Sequence, residues 1–187
     1  MYTIWDKEFI MAVWNVIDHT ELSGNATSYN VTSIPSSYDH LYLVTSIRTD
    51  DVVYFDQLGL RLNGDTGTNY SWTRLNAGTT TISSGRGTGD TSIEYLYGAT
   101  GTSALADTFG TMTTWIPNYA NTANFKQTHH QWTQPNNSST DYQWFIGMIA
   151  GLWQDTSAVN QITLTPLDGD NFVQYSTFTL YGINGAG

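Results

Sequence analysis

The chain has 187 residues and a formal charge of −10, from 16 acidic and 6 basic side chains. So few Lys and Arg residues argue against nucleic-acid binding and against docking on anionic membranes, since both need cations facing phosphates. Charged residues make up only 12% of the chain and aromatic residues 14%, a composition that favours a folded, all-β protein over a disordered one.

The first segment of the chain and the absence of cysteine limit the kinds of site and targeting signal that we expect. Without cysteine there is no disulfide and no thiolate metal site. The opening residues, MYTIWDKEFIMAVWNVIDH, contain no basic n-region and no small-residue cleavage site, so we expect no signal peptide. We expect residues 1–28 to be an additional strand or an arm, and residues 29–187 to form a single β-sandwich domain.

Short segments with strand character follow one another along the chain. In chain order they are residues 9–17, 29–33, 40–48, 57–63, 69–75, 91–96, 108–116, 124–133, 142–152, 161–165 and 176–182. Strict alternation in 40–48 and 57–63 predicts one face on a core. Leu41, Leu43 and Ile47 point inward in the first segment, and Leu58, Leu60 and Leu62 in the second. Turn residues between such short strands favour a sandwich or jelly roll over βαβ units.

Residues 76–90, NAGTTTISSGRGTGD, contain too much Gly, Ser and Thr to fill a core. We expect them to form a long exposed loop or arm that becomes ordered against a partner.

Two Asp-containing turns are candidates for calcium binding. In LRLNGDTGTNY, Asn63 and Asp65 match the start of an EF-hand loop, but no carboxylate follows at the required distance. Asn63-Gly64 is instead a strong tight-turn signal, because both residues tolerate positive φ. Asp168 and Asp170, in LDGDN, fit a hairpin loop equally well. A calcium ion shared between the two loops stays an alternative at this point.

No combination of residues forms a recognisable catalytic motif. Gly-x-Ser-x-Gly is absent, and Glu94 is a single strand carboxylate where glycoside hydrolysis needs a facing pair. His129 and His130 are adjacent in a strand and point to opposite faces, so they cannot chelate one ion together. A zinc site would then depend on His19 and His40. We therefore expect no enzyme, no cofactor and no metal.

The seven tryptophans are candidates either for the core or for sugar stacking. Trp72 and Trp132 lie among polar neighbours in the sequence. We expect these two to be the exposed ones, which makes carbohydrate binding the alternative to a purely structural role.

Five phrases occur in an order that resembles a group of small bacteriophage virion proteins. They are SIPSSYDHLYLVTSIRTD (33–50), LRLNGDTGTNYSWTRL (60–75), IPNYA (116–120), GLWQDTSAVNQITLTP (151–166) and FVQYSTFTLYGI (172–183). The resemblance covers residues 29–183 and implies a non-enzymatic, jelly-roll-like β-sandwich of the virion, made in the host cytoplasm.

The resemblance leaves two positions on the particle open. A capsid decoration or cement protein would be a homotrimer bound to the major capsid protein. A tail fibre or spike module would bind host surface carbohydrate instead. In either case we expect the contact surface to include Trp5, Trp72, Arg86, His129, His130 and Trp132.

Overall fold

The computed structural model describes residues 13–78, 81–134 and 146–184. Within those ranges every regular element is a β-strand and no helix occurs. The strands are β1 (Val13–Glu21), β2 (Tyr29–Val31), β3 (His40–Arg48), β4 (Phe55–Leu62), β5 (Tyr70–Gly78), β6 (Thr81–Asp90), β7 (Ile93–Thr100), β8 (Gly110–Pro117), β9 (Lys126–Thr133), β10 (Ile146–Trp153), β11 (Ile162–Pro166) and β12 (Thr177–Asn184). The all-β prediction is confirmed.

All twelve strands belong to one mixed sheet that is folded over on itself. Eight of them pair successively, in the order β1-β12-β3-β8-β9-β10-β5-β6, and we call these the large layer. The other four, β2-β11-β4-β7, form the small layer. The two layers are joined where β7 pairs in parallel with the end of β3, at Ile47↔Ala99 and Arg48↔Thr100.

The core lies between the two layers. Strand β7 of the small layer packs against β5, β9 and β10, with which it does not pair. The buried cluster includes Leu41, Leu43, Ile47, Leu58, Leu60, Leu62, Leu96, Met112, Ile116, Ile149, Leu164, Phe178 and Leu180. The side chains predicted to point inward from β3 and β4 are among them. Each such side chain contributes about 1.5–3 kcal/mol through burial. The arrangement is sandwich-like, and the jelly-roll topology stays a prediction.

The prediction of a long loop at residues 76–90 is wrong. Strand β5 extends to Gly78, and β6 pairs with it from Gly78↔Thr81 to Tyr70↔Asp90. The segment forms a strand without core residues because β5 supplies its backbone hydrogen-bond partners, and β6 is the last strand of its path. An edge strand needs no apolar face of its own, and small polar residues are common there. Its side chains are largely exposed, as expected.

Residues 13–21, within the expected strand or arm, form β1. This strand pairs with β12 from Val13↔Asn184 to Glu21↔Thr177, with a bulge between Val16 and Asp18. Residues 1–12, which include Trp5, lie outside the described residues.

The turn predicted at Asn63-Gly64 is confirmed. Both residues have positive φ, 54° and 67°, and the amide of Asp65 donates to the carbonyl of Leu62 at 3.0 Å. Asn and Gly adopt positive φ at less cost than other residues, which is why the pair occurs at this corner between β4 and β5.

The Asp65 carboxylate joins this turn to β10. It accepts hydrogen bonds from the Gly67 amide at 2.7 Å, the Asn69 side chain at 2.8 Å and the Trp153 indole at 2.7 Å. The hydrogen bond from Asn69, followed by those from Trp153 and Gly67, lowers the pKa of this carboxyl. Asp65 therefore fixes the corner between β4 and β5 through hydrogen bonds. It does not belong to the group of acidic side chains, Asp51, Asp56 and Asp170, that the described residues bring together.

Candidate interaction surface

The outward-facing side of the large layer is a surface that spans eight paired strands. Because paired residues in a sheet point to the same face, the strand registers define rows of side chains that cross all eight strands. Three such rows are complete. From β1 to β6 they are Val16-Tyr181-Tyr42-Trp115-His129-Ala150-Thr73-Arg86, His19-Thr179-Val44-Thr113-Gln131-Met148-Leu75-Ser84 and Glu21-Thr177-Ser46-Thr111-Thr133-Ile146-Ala77-Ile82. We call this surface the outer face.

The outer face is accessible and almost free of charge. None of the side chains in the three rows is buried in the described structure. Glu21 and Arg86, at opposite edges of the layer, are the members that carry a formal charge, and the remainder are hydroxyl, aromatic and aliphatic residues with two histidines and one glutamine. Depletion of Lys, Asp and Glu together with enrichment in aromatic residues and Met is the composition of a protein–protein contact surface.

One end of the outer face is aromatic. The Trp14 ring contacts Tyr42 at 5.2 Å and Tyr181 at 5.6 Å between ring centroids, both edge to face. Trp115 continues the row, 5.8 Å from Tyr42 and 4.9 Å from His40. These rings come from β1, β12, β3 and β8. Their mutual contacts therefore add side-chain packing to the backbone pairing of the four strands. We call this group the aromatic row.

The other end of the outer face is aliphatic. Leu75, Ile82, Ile146 and Met148 come from β5, β6 and β10 and are all exposed, Ile82 to 74%. They line a concavity of about 370 Å³ that Trp132 also borders. A Cβ on Gly147 would collide with the Trp132 ring, so glycine is required there for the ring to lie against β10. We call these four side chains the aliphatic patch.

A polar groove adjoins the aliphatic patch. It runs across β9, β10, β5 and β6 with a volume of about 600 Å³. Its walls include Arg86, Gln127 and Gln154, together with Thr and Ser hydroxyls and glycine backbone. The groove offers hydrogen-bond donors and acceptors beside the apolar side chains Trp72, Ala150 and Leu152, whereas the lining of the concavity at the aliphatic patch is mainly apolar.

Of the residues predicted for the contact surface, the structure places His129 and Arg86 in the same row of the outer face. Trp132 and Trp72 were expected to be exposed, and this prediction is wrong. Trp132 is 1% and Trp72 8% exposed, because both side chains point inward against β7. Their polar neighbours in the sequence belong to the opposite face of the same strands.

His130 is also buried, which removes it from the predicted contact surface. Its ring lies between two hydroxyls, with Thr114 Oγ1 2.8 Å from Nδ1 and Thr128 Oγ1 2.7 Å from Nε2. Burial, with a smaller effect of the neighbouring His129, lowers the pKa of His130 to about 3. The ring is therefore neutral at physiological pH. The prediction that the two histidines point to opposite faces is confirmed.

The candidate catalytic carboxylate has an ordinary structural partner. Glu94, on β7, accepts a hydrogen bond from Ser92 Oγ at 3.2 Å. It is not a member of the acidic group that the described residues bring together, which consists of Asp51, Asp56 and Asp170.

Comparison with known proteins adds no relative. No protein-family model, no curated protein and no solved structure matches the chain. Among the described residues, no helix is long and apolar enough to cross a membrane.

Proposed function

We propose that this protein is a non-enzymatic structural component of a bacteriophage particle, and that it packs its outer face against neighbouring subunits. The observation that supports docking is the composition of that face, which is accessible, nearly uncharged and carries an aromatic row and an aliphatic patch. The virion setting is supported by the sequence resemblance over residues 29–183. Capsid decoration is the preferred position, with the major capsid protein and further copies of this chain, in a homotrimer, as partners.

The shape of the outer face suits repeated shallow contacts. A stable interface buries about 800 Å² on each partner, and a flat sheet surface can reach this without inserting into a cleft. On a symmetric shell each copy meets several coat subunits, so that attachment is multivalent and holds even where each contact is weak. The low charge of the surface keeps the cost of removing water from it small.

The decisive experiment adds the purified protein to phage heads that lack it. Decoration predicts regularly spaced density on the shell by electron microscopy and a higher resistance of the heads to heat. Ile82→Asp, in the aliphatic patch, is expected to abolish binding. Leu105→Asp introduces the same charge at another exposed aliphatic position outside the three rows and should leave binding intact. Absence of binding to heads at micromolar concentration would contradict the capsid proposal.

The polar groove favours a second candidate, a tail module that binds host surface carbohydrate. Side-chain amides and a guanidinium along one groove are the groups that hydrogen-bond sugar hydroxyls, and the groove also borders the Trp72 ring. Binding to host polysaccharide that is lost in Gln127→Ala and retained in Ile82→Asp would support this candidate. Binding that shows the opposite pattern would support docking through the aliphatic patch.

A further inference from the structure

Three acidic side chains from distant parts of the sequence meet at one end of the molecule. Asp51 lies in the β3–β4 connection, Asp56 is the second residue of β4, and Asp170 lies in the β11–β12 connection. One oxygen of each carboxylate lies within 4.8 Å of the other two. No Lys or Arg of residues 13–78, 81–134 and 146–184 forms an ion pair with any of the three, so their like charges are not compensated by the described chain.

The middle carboxylate is buried with one oxygen unsatisfied. Asp56 is 2% exposed, and its Oδ1 accepts the backbone N–H of Gln57. Its Oδ2 is buried and makes no hydrogen bond of acceptable geometry. The buried Thr49 hydroxyl lies close enough to lower the pKa of this carboxyl, against the larger effect of burial, but it forms no well-aligned hydrogen bond with that oxygen. A buried carboxylate oxygen without a donor is costly, and such a group calls for an additional ligand.

The loops that carry the cluster are held in place by other groups. The Asp50 carboxylate accepts the Asn171 backbone N–H at 2.7 Å and its side-chain amide at 2.8 Å, which fixes the loop that contains Asp170. The carbonyl of Asp51 accepts the backbone N–H and the hydroxyl of Thr102 at 2.7 and 2.9 Å. Both anchors leave the Asp51 and Asp170 carboxylates free to bind something else, so the geometry is set before any ligand arrives.

We propose that Asp51, Asp56 and Asp170 bind a divalent cation of the hard, oxygen-preferring class, with calcium as the preferred ion. Calcium binds six to eight oxygens at about 2.3–2.6 Å, so two oxygens on opposite sides of the ion are about 5 Å apart at most. The spacing in the cluster fits within this limit. Asp51 and Asp56 also line a concavity of about 370 Å³, together with Asp168, which gives the ion a path from solvent and room for water ligands.

The site differs from the calcium loop considered from the sequence. Asp170 was a candidate there, but with Asp65 as its partner. The described structure joins Asp170 to Asp51 and Asp56 instead. A bound ion would cross-link the β3–β4 and β11–β12 connections, and its effect on stability is independent of whether the outer face docks on a capsid.

The test is calcium titration of the full chain by isothermal titration calorimetry at neutral pH, with a parallel magnesium titration. We expect saturable binding of one calcium ion and a higher melting temperature with calcium than with EDTA. Asp170→Asn and Asp51→Asn each remove one ligand from a side chain that is not fully buried, and each should weaken binding by at least about tenfold. Asp107→Asn, at an exposed position in the β7–β8 connection and with the same change of charge, serves as the control and should keep most of the affinity.

Three outcomes would overturn the proposal. The first is the absence of heat and of any change in melting temperature at millimolar calcium. The second is equal loss of affinity in Asp107→Asn and Asp170→Asn, which would mean that a diffuse acidic surface attracts the ion. The third is preference for magnesium over calcium, which would assign the cluster to the smaller ion.

Discussion

The two faces of the large layer are built from the same strands and differ in burial. Along β9 the side chains alternate without exception, so that His130 and Trp132 are buried while His129 and Gln131 are exposed. Residue type does not separate the buried set from the exposed set, since each contains a histidine. What separates them is whether the position along the strand is even or odd. We infer that the inner face determines stability and the outer face determines association, which predicts opposite responses from neighbouring residues.

The largest expected effect on stability comes from the inner face. Trp132→Ala removes a side chain that is 1% exposed and that contacts Tyr97 and borders Gly147. The expected loss of unfolding free energy is about 3–5 kcal/mol, because a large buried ring leaves a cavity. Gln131→Ala, one position away on the outer face, should change it by less than about 0.5 kcal/mol. Urea denaturation of the two variants measures the contrast, and similar losses in both would contradict it.

The buried histidine predicts a pH dependence. The unfolded chain binds a proton at His130 near pH 6.5, whereas the folded chain does so only near pH 3 because burial disfavours the imidazolium. Between these values the unfolded state binds more protons, so stability must fall as the pH falls. The contribution of His130 is fully present above pH 6.5 and is lost by about 1.4 kcal/mol per pH unit well inside the window.

Replacing the His130 ring isolates its contribution to the pH dependence of stability. His130→Gln keeps hydrogen-bonding capacity toward Thr114 and Thr128 but cannot titrate. The stability of the parent chain minus that of the variant should therefore be constant above about pH 6.5 and fall by up to about 1.4 kcal/mol per pH unit below it. Chemical denaturation at several pH values provides the measurement. A constant difference across the range would show that the ring takes up its proton without unfolding.

Asp65 predicts a smaller effect at the corner between β4 and β5. Asp65→Asn puts an amide where Gly67, Asn69 and Trp153 donate, and loss of these charge-assisted hydrogen bonds should cost about 1–2 kcal/mol at neutral pH. The pKa of Asp65 is lowered in the fold, so its contribution is present above the unfolded pKa of about 3.9 and is lost as the pH falls below it. Thr66→Ala, at an exposed position of the same turn, is the control.

The sequence predicts those parts of the fold that local periodicity encodes. Strands β3 and β4 alternate apolar and polar residues, and their inward sets are confirmed. Strand β6 could not be found in this way, because its structure depends on backbone pairing with β5 and not on its own side chains. In β9 the buried positions include Lys126 and His130. Because these residues are polar, the sequence of β9 does not show which of its faces is in the core. Taking Trp132 as buried would have placed His130 on the same side by parity.

The candidate sites depend on long-range information that a single sequence lacks. The rows of the outer face follow from eight strand registers, none of which is encoded locally. Asp51, Asp56 and Asp170 are brought together because the β11–β12 connection is held against the β3–β4 connection by Asp50. The shared calcium ion considered from the sequence joined the loops of Asp65 and Asp170, and only the topology shows that Asp170 lies beside Asp51 and Asp56 instead.

We expect one change, Ile82→Ser, to have the smallest effect on stability and the largest effect on association. Ile82 lies on the edge strand β6 and is 74% exposed, so its truncation to a hydroxyl should alter the unfolding free energy by less than about 0.5 kcal/mol. If the aliphatic patch takes part in self-association, removing its most exposed member should weaken the predicted trimer. Sedimentation velocity over a range of concentrations measures this, with Leu105→Ser as a control at an exposed aliphatic position outside the rows. A variant that unfolds more easily but associates normally would contradict the inferred roles of the two faces. It would show that the edge strand contributes to stability and that the outer face has no role in assembly.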